Sequence, residues 1–248
     1  IYVSAKEGMN INELKEMVGR LVKDKASRPL VEDLVEKGDV VALVIPIDSS
    51  APKGRLILPQ QMMMRSLLDA GAIAVAVQPE ELPSVLSFVR PRLVITDSQA
   101  FSTVSRMVPE DISMTSFSIL MARYKGELDV QLDGVSALGN LKKGDKVLIA
   151  EGCTHHRQCE DIGTVKIPKL VSSVAEGIEF EFSSGHGFPE NLSEYSLIIH
   201  CGACMLTEKE MKSRIGLASD AGVPVTNYGM ALAYFNGILS RALKPLGI

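Results

Sequence analysis

The sequence predicts an α/β protein made of two small domains, each a parallel sheet flanked by helices. Short runs rich in β-branched residues alternate with amphipathic stretches from end to end, as successive β–α units do. Several of those runs are almost continuously apolar, the pattern of strands covered by helices on both faces. The chain is also large enough for two cores, with 248 residues of which 46% are hydrophobic.

Taken in order, strands are expected over 39–47, 72–77, 92–96, 146–150, 178–182, 196–200 and 223–226, where apolar and β-branched residues cluster between turn formers. Helices are expected over 60–69, 83–89, 98–108, 208–221 and 230–243, where apolar residues recur at helical spacing. Thr207 with Glu210 three residues later reads as a capping box, so a helix should begin shortly after Cys204. A polar junction at 133–144, bracketed by Asp133-Gly134 and Gly139-Asn140, separates a domain over 26–140 from one over 141–248. The triplet Met62-Met63-Met64 falls in a helix and should face a core or a subunit interface.

Composition excludes several functions. Lys and Arg number 26 against 30 Asp and Glu, for a net charge of −4, and the basic residues are scattered, so no nucleic-acid footprint is present. The most apolar stretch, 70–77, is far short of the roughly 20 residues that span a bilayer, and no signal segment opens the sequence, so a cytoplasmic protein without a membrane partner is expected. No G-x-x-x-x-G-K-[ST] loop occurs, so nucleotide hydrolysis by this chain is not expected. Residues 1–25 nonetheless look like the last strand, guanine-contacting loop (Ser4, Ala5, Lys6) and final helix of a small GTPase domain; such a remnant is not expected to bind nucleotide alone.

The chemistry lies in the four cysteines. Cys153, Cys159, Cys201 and Cys204 fall in two clumps, a distribution that in a cytosolic protein suggests metal binding or redox work more than disulfides. Cys153-Thr154-His155 and His200-Cys201-Gly202-Ala203-Cys204 each follow a strand candidate, and carboxyl ends of parallel strands share one edge, so the two loops can converge. Three thiolates on two loops suit a closed zinc site completed by His155 or His200, or an iron–sulfur cluster. His186, in a Ser-Ser-Gly-His-Gly loop without ligand spacing to a cysteine, reads as a polar loop residue, and Arg157, Lys166 and Lys169 as solvated charges.

The pattern C-x-H … H-C-x-x-C, together with Arg55-Leu56-Ile57-Leu58-Pro59-Gln60, Leu93-Val94-Ile95-Thr96-Asp97-Ser98-Gln99-Ala100, Thr115-Ser116-Phe117-Ser118-Ile119-Leu120, Asp161-Ile162-Gly163 and Ile167-Pro168, resembles the HydF family of [FeFe]-hydrogenase maturation proteins along the whole chain. The resemblance implies a dimerisation domain and a cluster domain, with a GTPase domain all but absent. It implies a [4Fe–4S] cluster on Cys153, Cys201 and Cys204, a fourth ligand or supporting group among His155, Glu160 and His200, and Cys159 outside the ligand set. It further implies a homodimeric scaffold, not itself an enzyme, that carries a diiron precursor of the H-cluster to apo-[FeFe]-hydrogenase, in company with radical maturation enzymes, with GTP a cofactor only of a longer protein. The rival readings are an iron–sulfur enzyme with an open iron and a zinc-stapled interaction domain.

Overall fold

The computed structural model describes residues 1–21, 28–47, 54–125, 128–152, 161–185 and 187–248. Two four-stranded, wholly parallel sheets form the frame. The first contains β1 (Val40–Val44), β2 (Ile73–Val77), β3 (Leu93–Thr96) and β4 (Ser113–Ser116) in the spatial order β2-β1-β3-β4. The second contains β5 (Lys146–Glu151), β6 (Glu179–Ser184), β7 (Leu197–His200) and β8 (Val225–Asn227) in the order β6-β5-β7-β8. Each sheet is therefore wound second-first-third-fourth. The sequence shows no internal repeat, yet the topology is repeated.

Helices supply the crossovers. After α1 (Ile11–Leu21), the first unit has α2 (Leu58–Asp69), α3 (Leu82–Phe88), α4 (Phe101–Met107) and α5 (Phe117–Lys125). The second has α6 (Leu128–Leu138), a π-turn (Ile162–Lys166) leading into α7 (Ile167–Ser172), α8 (Glu208–Asp220), α9 (Tyr228–Phe235) and α10 (Leu239–Leu243). Alternate residues of one strand feed opposite faces: Val41 and Leu43 of β1 pack with Met63 and Leu67 of α2, whereas Ala42 and Val44 join a core that continues into the second unit through Val147, Ile149 and Tyr228. A third core lies between the second sheet and α8, around Leu148, Ile198, Met211 and Ile215.

Several expectations need correction. Asp133-Gly134 does not turn the chain but lies inside α6, which packs on β8. A Cβ at position 134 would sit 2.0 Å from the Val225 carbonyl oxygen, so glycine is there to let the helix approach the strand. The helix expected over 230–243 is two helices, because Gly237 takes a left-handed φ of 69° between α9 and α10. β4, α5, α6 and α7 lie outside the expected elements. The opening strand expected of a GTPase remnant is reduced to one antiparallel bridge, Ser4 with Met9, before α1, and Ser4, Ala5 and Lys6 form an otherwise exposed turn in which Ser4 Oγ accepts the Glu7 N–H at 3.3 Å.

The chain finally doubles back. α10 and the 3-10 turn Lys244–Leu246 pack on β4 of the first sheet. Arg241 fixes that contact by donating to the carbonyls of Ser105, Val108 and Pro109 at the end of α4, at 2.8, 2.7 and 2.7 Å.

Candidate functional site

In an open parallel sheet the natural crevice lies beyond the carboxyl ends of the two strands from which successive connections run in opposite directions. In the second sheet those strands are β5 and β7, and they end at Glu151 and His200. One residue beyond β7, the Cys201 N–H still donates to the Ala150 carbonyl at 2.8 Å, extending the ladder. The chain then turns sharply: buried Ala203 takes a left-handed φ of 51°, and its carbonyl accepts the Leu206 N–H at 3.1 Å. Thr207 starts α8, its hydroxyl accepting the Glu210 N–H at 3.1 Å; the other half of the expected capping box is replaced by an ion pair, with Glu210 turning to Arg214 at 3.0 Å.

This turn presents Cys201 and Cys204 as half-buried cysteine side chains three residues apart. Cys201 Sγ accepts two backbone N–H groups, from Gly152 at 3.1 Å and Ala203 at 3.4 Å. Backbone N–H bonds to sulfur of this kind are the ones that surround metal-bound cysteines. Gly152 immediately precedes Cys153 in the chain, so the loop that carries Cys153 departs from beside Cys201. Cys153, His155, Arg157, Cys159, Glu160 and His186 themselves lie outside the described residues. Among the described residues no group of three or more His, Cys, Asp and Glu side chains is arranged to hold a metal ion.

His200 is 1% exposed, and both ring nitrogens are engaged: Nδ1 with the Cys201 carbonyl at 2.9 Å and Nε2 with Arg214 Nη1 at 3.1 Å. Arginine can only donate, so Nε2 accepts and Nδ1 carries the proton. Burial pushes the imidazole pKa down to about 4, outweighing the Cys201 carbonyl that would raise it, and the adjacent Arg214 charge adds to the depression. The ring is therefore neutral and holds the backbone of Cys201. Arg214 also donates to the Gly185 carbonyl at 2.6 Å and lies over the Phe188 ring at 5.0 Å, tying α8 to the end of β6.

On the opposite side, the buried Glu151 carboxylate accepts from Tyr228 Oη at 3.3 Å. Burial, and then the negative charges of Glu151 and Cys201, keep Tyr228 a neutral phenol far above its usual pKa. The π-turn abuts this pair: a Cβ on Gly163 would stand 2.2 Å from Tyr228 Oη and 2.7 Å from Glu151 Oε1. Asp161 caps the π-turn through the Thr164 N–H at 2.8 Å.

The first unit closes the site. Lys125, in the last turn of α5, is 6% exposed and donates to the Ala203 carbonyl and, at 2.8 Å, to the Leu206 carbonyl. Burial lowers its pKa, while the Cys204 and Cys201 thiols act to raise it. The hydroxyls of Ser98 and Ser118 lie 2.5 Å apart beside Gly229, where a Cβ would meet Ser118 Oγ at 1.9 Å. A small cavity remains between Lys125, Gln131, Cys201, Met211 and Asn227, and Asn227 Nδ2 donates to Gln131 Oε1 at 2.7 Å. Lys125, Glu151, Arg214 and Tyr228 were missed in the sequence; Glu210 and Arg214 at helical i,i+4 spacing was the one local signal.

Fold and site thus define a two-unit, doubly wound α/β protein with a paired-cysteine loop at the switch point of its second sheet. The chain belongs to the HydF family: residues 30–126 match the hydrogen maturase F dimerization domain and residues 129–245 its tetramerization domain. It is accordingly a hydrogenase-maturation protein built of two self-association domains, neither of them a catalytic domain. The tetramerization module goes beyond the homodimer expected from the sequence. No helix among the described residues is long and apolar enough to cross a membrane. No curated protein matches the chain. Among solved structures, the catalytic subunit of M. Jannaschii aspartate transcarbamoylase in an orthorhombic crystal form aligns over 98% of this chain and 94% of that one, at 9% identity and a TM-score of 0.31, which is too slight a likeness to bear on fold or function.

Proposed function

We propose that the chain is a cytoplasmic scaffold that holds one [4Fe–4S] cluster on Cys153, Cys201 and Cys204 and carries a diiron H-cluster precursor to apo-[FeFe]-hydrogenase, with radical maturation enzymes as its other partners. The observation that carries this reading is the 3.1 Å contact between the Gly152 N–H and Cys201 Sγ, which starts the Cys153 loop against the Cys201 turn at the switch point. The donor set fits the group: two cysteine sulfurs on one turn, one already accepting two N–H bonds, are the soft, hydrogen-bonded ligands a cubane takes. The cluster would supply an iron atom with a non-cysteine, exchangeable ligand. His155 and Glu160 are the candidates for that position. His200, with both nitrogens engaged, is assigned a supporting role behind Cys201. Cys159 is left outside the ligand set, and GTP is assigned only to a longer protein that includes a GTPase domain.

Anaerobic purification followed by absorption spectroscopy and metal analysis tests the proposal. A brown protein with four irons per chain is expected. Single Cys→Ser changes at 153, 201 or 204 should strip the cluster, while Cys159→Ser should leave most iron bound. A colourless protein with stoichiometric zinc, or full iron in Cys201→Ser, overturns it.

A further inference from the structure

We infer that Lys125 is a positioning residue for the cysteine loop, through which the first unit holds the Cys201–Cys204 turn in its metal-ready shape and places a cation beside it. Lys125 belongs to α5 of the dimerization unit, yet its ammonium bonds to two carbonyls, of Ala203 and Leu206, in the loop of the other unit. These are 78 and 81 residues away in sequence, so the contact exists only because the units are docked. A buried ammonium is costly unless strongly solvated by protein. Beside the two carbonyls, the side chains that favour its charged form are Cys204 and Cys201, not a carboxylate.

The acceptors define what the lysine holds. Ala203 is a buried non-glycine residue with a left-handed φ of 51°, a conformation that persists only where its surroundings impose it. The Ala203 carbonyl that Lys125 takes also accepts the Leu206 N–H, and the Ala203 N–H reaches Cys201 Sγ. Lys125 therefore fixes the carbonyls on either side of Cys204, those of Ala203 and Leu206. A displacement of α5 relative to the second sheet is transmitted to the thiols by one side chain.

The first test uses the full chain without metal. In Lys125→Met, amide hydrogen exchange across 201–206 should accelerate at least tenfold while distant helices exchange as before. The second test rests on the cluster reading above. With iron and sulfide reconstituted, Lys125→Met should lose at least half the iron, and the remaining cluster should be reduced at a more negative potential, because a cation beside it favours the more negative reduced state. Adding Ala203→Gly, which removes the cost of the left-handed turn, should restore iron content but leave the potential shifted. Exchange across 201–206 within twofold of the unaltered chain, in a variant that is folded by circular dichroism, overturns the inference. If Lys125→Met does not fold, Lys125→Gln decides: it keeps N–H donors without charge, so retained protection with a shifted potential supports the inference and an unshifted potential overturns it. If the unaltered chain takes up no cluster, the cluster reading falls, and the exchange experiment still decides the role of Lys125.

Discussion

Replacing Gly134 by alanine should destabilise the protein, although the same change in an open helix is stabilising. Alanine is favoured over glycine in a helix interior by roughly 0.5–1 kcal/mol. At position 134 the added Cβ would meet the Val225 carbonyl oxygen at 2.0 Å and its carbon at 2.4 Å, both backbone atoms that cannot swing aside. Helix α6 would have to retreat by about 1 Å merely to bring the Cβ to a tolerable distance from that oxygen, an overpacking penalty of about 1–3 kcal/mol or more. The net loss is about 1–2 kcal/mol, which for a chain of this size lowers Tm by roughly 2–8 °C. Gly216 in α8 is the internal control, since nothing lies within 4 Å of the Cβ it would gain. Gly216→Ala should raise Tm by roughly 1–4 °C on the propensity term alone. Both variants are measured by thermal unfolding of the metal-free chain in one buffer. The retreat of α6 should also loosen Gln131 from Asn227, which caps α9 through the Met230 N–H at 2.8 Å, next to Tyr228. A Gly134→Ala protein as stable as the parent, or more so, refutes the close-approach argument.

Three further outcomes follow from the same geometry. β2 is an edge strand, an all-apolar run whose Ile73 is 53% exposed, and uncovered edges of this kind pair with other chains, so Ile73→Lys should reduce the assembly mass measured by light scattering. Arg241→Ala removes three charge-assisted bonds to carbonyls of the first unit and should cost about 1.5–3 kcal/mol in urea unfolding; an unchanged midpoint would show the contact to be incidental. Lys146 binds Glu181 and Glu194 at 2.7 Å each, and the bond from Lys146, helped by Tyr195, holds the Glu181 carboxyl below its ordinary pKa. A carboxyl depressed in the folded state stabilises above the unfolded-state value of about 4.3 and loses that contribution as pH falls through the lower folded value. The destabilisation caused by Lys146→Met at pH 7 should therefore shrink toward pH 3, and a gap that stays constant over that range would rule out the linkage.

Seven of the eight strands were legible because each is an apolar or β-branched run between turn formers. β4 was not: its sequence is Ser-Met-Thr-Ser, and its burial is made tolerable by local bonds such as Ser116 Oγ accepting the Ile119 N–H at 3.2 Å. A buried strand rich in hydroxyls carries no apolar signature. Gly134 misled in the other direction, since a glycine that admits a neighbouring backbone looks, in sequence, like one that turns the chain. The Cys201-x-x-Cys204 loop was readable from its place after a strand. Lys125 and Tyr228 were not, because their partners lie 78 and 77 residues away: Lys125 meets Ala203 only where the units dock, and Tyr228 meets Glu151 only once the second sheet and α9 have packed. Arg214 stood on a helix as an ordinary surface pair with Glu210, and nothing local tells that its other face reaches a buried histidine.

The return of α10 onto β4 has a consequence for synthesis of the protein. The first sheet can assemble once residue 116 has left the ribosome, but the cover supplied by Arg241, Leu243 and the Lys244–Leu246 turn is more than 120 residues further on. At about 5–20 residues per second, that interval lasts roughly 6–25 s. Throughout it the β4 edge and the carbonyls that end α4 stand open to solvent and to other nascent chains. The order of translation thus sets a window in which the dimerization unit is complete in topology and unprotected in surface, and it is closed by the far end of the neighbouring unit.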